Sequence, residues 1–142
     1  MPRLLGIDYG TRRIGLAISD ESERLAVGLA AWANEGAATI VRLKQLLGEK
    51  DIRHVVVGYP LTLRGQVGPK ATEVDAFIRR LEAADISVRR WDERWTTQEV
   101  SRTARAMGLS EKQQRGRLDM AAAVVLLQNY LDAHLENPLT YS

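Results

Sequence analysis

Along the first third of the chain the apolar positions come in short runs broken by turn formers. "RLLGIDY" (residues 3–9), "RIGLAIS" (13–19) and "RLAVGLAAW" (24–32) each have the length of a strand. The segments that part them, around Gly10 and Thr11 and from Asp20 to Glu23, are too short for a crossover and predict an antiparallel meander. Then the period changes. Ile40, Leu43, Leu46 and Leu47 recur at helical spacing between Gly36 and Lys50, and "HVVVGY" (54–59) follows as a buried strand. A loop rich in Gly and Pro, "PLTLRGQVGPK" (60–70), leads into a helix over 71–84, and "ISVRRW" (86–91) is the next strand. Helices are predicted over 96–107 and 117–135, joined by the polar "GLSEKQQRG" (108–116).

The order is therefore βββαβαβαα. Hairpins join the first three strands, whereas a helix between strands calls for a parallel crossover. The expectation is an α/β fold with a five-stranded mixed sheet, three antiparallel strands and then two parallel crossover strands, flanked by helices. That is the ribonuclease H-like arrangement. No repeat or linker divides the chain, so residues 1–142 are expected to form a single domain.

Composition narrows the chemistry. Hydrophobic residues make up 45% and charged residues 27%, as in ordinary globular proteins. Cysteine is absent and there are two histidines, which removes thiolate nucleophiles and thiolate or histidine-rich metal sites. No stretch approaches the ~20 apolar residues of a membrane span, and "MPRLLGIDYG" lacks the pattern of a signal peptide. A cytoplasmic protein without a membrane partner is expected. The net charge of +2 permits a polyanionic partner without requiring one.

Three acids stand out against this background. Asp8 closes the first strand just before Gly10. The arrangement places that strand centrally, and open α/β sheets gather ligands at the carboxyl ends of their strands. Gly10 has no Cβ and lets a phosphate or a second stretch of backbone come close. "WDERWTTQE" (91–99) supplies Asp92 and Glu93 directly after the last strand. Alternation sends one of the two to the site, and Glu93 has the greater reach across roughly 9 to 10 Å, two strand spacings, with Asp92 in reserve. Thr96 and Glu99 fit a capping box, which assigns Glu99 to a helix start. Asp119 shares a helical face with Ala122, Ala123, Leu126, Leu127 and Tyr130, so a carboxylate stands on the side meant for burial. Such a charge requires compensation by a cation or a helix amino end.

Three carboxylates at one end of a sheet are hard oxygen ligands suited to Mg²⁺ or Mn²⁺. Two such ions about 4 Å apart can activate water and stabilise the leaving oxygen in phosphodiester cleavage. Asp8, Glu93 and Asp119 are thus the candidate catalytic and metal-binding residues. Basic residues nearby suit a nucleic-acid backbone: Arg12 and Arg13 after the first strand, Arg64 and Lys70 in the long loop, Arg94 beside Glu93, and Lys112, Arg115 and Arg117 before Asp119.

"GIDYGTRRIGLAISD", "VVVGYPLTLRGQVGPKA", "DERWTT" and "LDMAAAVVLLQNYL" together resemble, in order and spacing, the YqgF/RuvX family of bacterial Holliday junction resolvase-like proteins, also described as pre-16S rRNA nucleases. The resemblance implies an RNase H-like fold, a cytoplasmic divalent-metal nuclease, and a role in rRNA maturation or in recombination and repair. By motif, the family's acids fall on Asp8, Glu93 and Asp119. The fourth strand ends in "GYP", so Tyr59 and Pro60 stand where better-known junction resolvases carry an acid.

Two other functions share parts of this pattern. A ribosome assembly factor could keep the fold and bind RNA without cutting it. "GIDYGT" also resembles the first phosphate-binding turn of actin-like kinases and ATPases, which need two related domains and a longer chain. The polyanionic partner is expected to be RNA or DNA, single-stranded or branched. With no sequence feature that guarantees dimerisation, a monomer or weak homodimer is expected.

Overall fold

Leu4 on one face and Leu5 and Ile7 on the other are buried in β1 (Arg3–Asp8), which runs through the middle of the sheet. In the computed structural model, which describes residues 3–59, 69–92 and 111–136, β1 is followed by β2 (Arg13–Ser19), β3 (Ala26–Ala33), helix α1 (Ala37–Glu49), β4 (Ile52–Tyr59), α2 (Pro69–Ala83), β5 (Val88–Asp92) and α3 (Glu111–Glu136). The sheet order is β3-β2-β1-β4-β5. β1 pairs antiparallel with β2, and β2 with β3, while β4 lies parallel to β1 and β5 parallel to β4. The expected mixed sheet is therefore present, with β5 two positions from β1.

Alternation along the strands feeds two cores. Leu5, Ile7, Ile14, Leu16, Val55 and Val57 face one side and pack with Leu43 of α1 and with Val74, Phe77, Ile78 and Leu81 of α2. Leu4, Ala17, Ala26 and Val56 face the other side, where α3 covers them with Ala123, Leu127, Tyr130 and Leu131. Several strand residues on the α3 side are small, among them Gly6, Gly15 and Ala17, and that lets the helix lie close. A Cβ added at Gly6 would stand 2.8 Å from Leu127 Cβ.

Several ends differ from the sequence expectation: β3 and β5 begin two residues later, at Ala26 and Val88, α2 begins two residues earlier, at Pro69, and the starts of α3 and β4 also move. The pattern predicts a linker over 108–116, whereas residues 111–116 belong to α3, which begins at Glu111. Glu, Lys, Gln and Arg are strong helix formers, and "SEKQ" (110–113) has the S-x-x-Q spacing of a capping box. Gly116 only weakens such a helix. β4 likewise begins at Ile52, two residues before the expected start, because Ile52 and Val55 are both buried in the α1 and α2 core. The expected helix over 96–107 lies outside the described residues.

Side chains tie the connections down. Asp20 accepts from the backbone N–H groups of Arg24 and Leu25 and from the Ser22 hydroxyl, which fixes the β2–β3 turn and holds its carboxyl below the usual range. On the outer edge of β3, Gln128 of α3 accepts from the Ala26 N–H at 2.8 Å and donates to the Arg24 carbonyl at 2.9 Å. The β2–β3 register also slips between Leu16 and Ala17, which leaves an extra residue in β3 at Leu29.

Candidate active site

Asp8 ends the central strand, half-buried, and shares the strand parity of Leu4 and Gly6, both of which meet α3. Its registered neighbour in β2 is Gly15. An added Cβ at Gly15 would stand 1.8 Å from the carbonyl oxygen of Asp119 and 3.0 Å from the Met120 nitrogen, so the helix backbone rests directly on the glycine. This contact sets Asp119 one strand away from Asp8, on the same face. A larger residue at position 15 would separate the two elements.

The charge on Asp119 has a specific partner. Arg13, the first residue of β2 and on the same face as Gly15, donates from Nε to Asp119 Oδ2 at 2.6 Å. The Arg13 side chain is 39% exposed and that of Asp119 20%, so the pair is open to solvent mainly from the arginine side. Beside it lies an open cleft of about 330 Å³ lined by Gly10, Thr11, Arg12, Arg13 and Asp119. Gly10 makes the tight turn: a Cβ there would come within 2.5 Å of the Arg13 carbonyl oxygen. Asn34, just past β3, braces the turn by donating from Nδ2 to the Gly10 carbonyl and from its backbone N–H to the Arg12 carbonyl, each at 2.8 Å. Nothing in the sequence pattern marks Asn34 for this work.

Five candidate residues thus meet at one end of the sheet: Asp8, Gly10, Arg12, Arg13 and Asp119. Arg12 is exposed. Lys70 is exposed in the first turn of α2, a helix that packs on the opposite face of the sheet, and so stands apart from the Asp119 side. Arg115 and Arg117 lie in the first two turns of α3, N-terminal to Asp119. Glu93, Arg94 and Arg64 lie outside the described residues. Asp92 closes β5 in register with Tyr59.

The end of β4 explains the missing acid. Tyr59 follows the parity of Val55 and Val57 and packs on the α1 and α2 side, where its hydroxyl donates to Asp75 at 3.0 Å. Arg90 pairs with the other Asp75 oxygen at 3.6 Å. That hydrogen bond, with burial, raises the Tyr59 hydroxyl above its usual range. The position that faces α3 is Gly58, so no β4 carboxylate is available to the Asp8 face. Trp91, registered with Gly58, packs edge-on against Tyr130 of α3 at 5.4 Å between ring centroids.

Among the described residues no group of three or more His, Cys, Asp or Glu side chains is placed to hold a metal ion. Asp8 and Asp119 contribute only carboxylate oxygens, and a part-buried acid that already requires a cationic partner suits a hard divalent cation. A second cleft, of about 400 Å³, lies where β4 and β5 begin and includes Lys44, Asp51, Arg53, Asp85 and Ser87, none of them a candidate from the sequence.

Comparison with known proteins gives a consistent answer. The profile of the RuvX family, described as "Holliday junction resolvase", matches residues 2–133. A protein of Ruminiclostridium cellulolyticum named "Putative pre-16S rRNA nuclease" is 35% identical over 133 residues, covering 92% of this chain and 94% of that protein. The protein of the same name in Syntrophus aciditrophicus is 40% identical over 137 residues, 92% of this chain and 89% of its own. Among solved structures, T. thermophilus RuvC in complex with a Holliday junction substrate aligns with a TM-score of 0.56 at 17% identity, covering 96% of this chain and 98% of that one. At that identity the likeness establishes the RNase H-like fold.

Proposed function

Because the chain belongs to the RuvX family of Holliday junction resolvases, we propose that it is a divalent-metal-dependent nuclease that hydrolyses phosphodiester bonds in the cytoplasm, in pre-16S rRNA processing or in DNA recombination and repair. The observation that carries the reading is the convergence of Asp8 and Asp119 across Gly15, next to the cleft floored by the Gly10 turn. Asp8, Asp119 and Glu93 would hold Mg²⁺ or Mn²⁺, expected as two ions, which when bound would activate water and stabilise the leaving oxygen. Carried one residue past β5, the alternation that puts the Trp91 ring on the α3 side would put Glu93 on that side too, and this favours it over Asp92 as the third carboxylate.

The residues of the chain supply binding and orientation. The Gly10 turn, closed on the Arg13 carbonyl, would offer its backbone at the cleft to a phosphate, and Arg12 and Arg13 supply positive charge along the cleft. Arg64, Arg94, Arg115 and Arg117 extend the expected track for the polyanion, whereas Lys70, on the far face, suits a more distant stretch of the strand. One cluster per chain fits a single incision better than paired cuts in a two-fold junction. Single-stranded or frayed RNA or DNA is therefore the favoured substrate over an intact junction, cut by a monomer or weak dimer.

The deciding experiment offers labelled single-stranded RNA, single-stranded DNA and a four-way junction to the purified protein with Mn²⁺, with Mg²⁺ and with chelator. Metal-dependent cuts in the single strands are expected. Tight RNA binding without any cleavage would replace this reading with that of a non-catalytic assembly factor. Coordinated, symmetric cuts by a stable dimer would restore junction resolution as the activity.

A further inference from the structure

The Arg13–Asp119 pair raises a problem for a metal site. A carboxylate meant for a divalent cation is already bonded at 2.6 Å by a guanidinium. That bond uses Nε alone, while the guanidinium carries four further N–H donors on its terminal nitrogens. Asp119 is the one partner of the Arg13 side chain among the described residues. The arginine also lines the open cleft beside Gly10 and Arg12, so a phosphate entering there meets the same side chain that holds the acid.

We propose that Arg13 is an exchangeable counter-ion: without substrate it neutralises and orients Asp119, and when nucleic acid binds it turns to a backbone phosphate and leaves the Asp119 carboxylate to the cation. This rests on the nuclease reading above. The electrostatics favour the exchange, because a guanidinium and a divalent cation compete for one carboxylate, whereas a phosphate offers the guanidinium an equally charged partner with bidentate geometry. Exposure on the arginine side gives the side chain room to move, and the bracing of the Gly10 turn by Asn34 keeps the cleft in place meanwhile. Cation and nucleic acid should then bind with positive, reciprocal coupling. Arg13 is a positioning residue in this scheme, acting on Asp119 as well as on the phosphate.

Calorimetric titration of Mn²⁺ tests this without reference to activity. In the protein free of nucleic acid, Arg13→Gln should bind Mn²⁺ roughly three- to tenfold more tightly than wild type, since a charge-assisted competitor is gone. The difference should vanish in an Asp119→Asn background. Binding of a cleavage-resistant phosphorothioate single strand, measured with Ca²⁺, should weaken in Arg13→Gln and lose about one unit of its salt slope. A second measurement needs no variant: wild-type affinity for Mn²⁺ should rise by a similar factor when the protein is saturated with that strand. Melting curves establish that each variant is folded. A folded Arg13→Gln protein with equal or weaker Mn²⁺ affinity, or wild-type affinity unmoved by the strand, overturns the exchange. Absence of Mn²⁺ binding in both proteins would instead remove the metal-nuclease reading and this inference with it.

Discussion

Gly15→Ala is the most direct test of how the site is assembled. The added methyl would sit 1.8 Å from Asp119 O and 2.3 Å from Asp119 C, and ordinary contact begins near 3.4 Å. Both atoms are backbone, so relief requires the first half of α3 to withdraw by roughly 1.6 Å, since a rotamer change cannot supply it. Overpacking of this kind costs about 1–3 kcal/mol, which for a chain of this size lowers the melting temperature by roughly 4 to 12 °C. A displacement above 1 Å between two reacting elements costs on the order of a hundredfold in rate. Gly28→Ala is the matched control. Its methyl would meet Met120 Cγ and Sδ at 2.8 Å, and a flexible thioether chain can yield. Thermal melts and Mn²⁺-dependent cleavage of a labelled single strand, run on both variants, should show the large loss in Gly15→Ala alone. Wild-type rate and stability in Gly15→Ala, or equal damage from Gly28→Ala, would refute the claim that this glycine sets the Asp8–Asp119 geometry.

Asp8→Asn should lose at least about a hundredfold in metal-dependent cleavage while its melting temperature stays near or above that of wild type; full activity in this variant would exclude Asp8 as a ligand. Glu93→Gln should damage the rate more than Asp92→Asn, and the reverse order in single-turnover assays would mean that Asp92 serves the site. His54, pushed below its ordinary 6.5 by burial and then by Arg89 and Arg53, takes up a proton more readily in the unfolded chain. Stability should therefore fall as pH drops through about 6.5. His54→Gln should flatten that slope between roughly pH 7.5 and 5.5 in denaturant titrations, and an unchanged slope would assign the acid sensitivity to other groups.

Much of this architecture was legible because strand alternation and helical spacing are local. The runs 3–9 and 13–19 could be read directly, and β2 has the bounds that its pattern predicts. Asp119 stands out as a candidate because a charge on an apolar face breaks the pattern. Contacts between distant residues left no such trace. Gly15 looks like any small strand residue until α3 is laid across it, and Asn34 looks like an ordinary loop amide until it reaches the Gly10 turn. Tyr59 could be read as the occupant of an acid's place. Counting parity from Val56 through Gly58 shows that its ring belongs on the other face. Gly116 and the polar run before it suggest a loop, whereas the intrinsic helix preference of "EKQQR" prevails and α3 starts at Glu111.

Gln128 has a consequence for how the molecule stays separate from its neighbours. β3 is an outer strand, and its sequence from Ala26 to Ala33 carries no charge and no proline, with Val27 within it and Leu25 just before it half exposed. Such an edge invites another chain to add a strand. The Gln128 amide bonds the Arg24 carbonyl and the Ala26 N–H much as a neighbouring peptide group would, and the extra residue at Leu29 bends the remainder out of line. The helix that carries Asp119 therefore also ends the sheet, and self-association along this edge would first have to strip away one of its side chains.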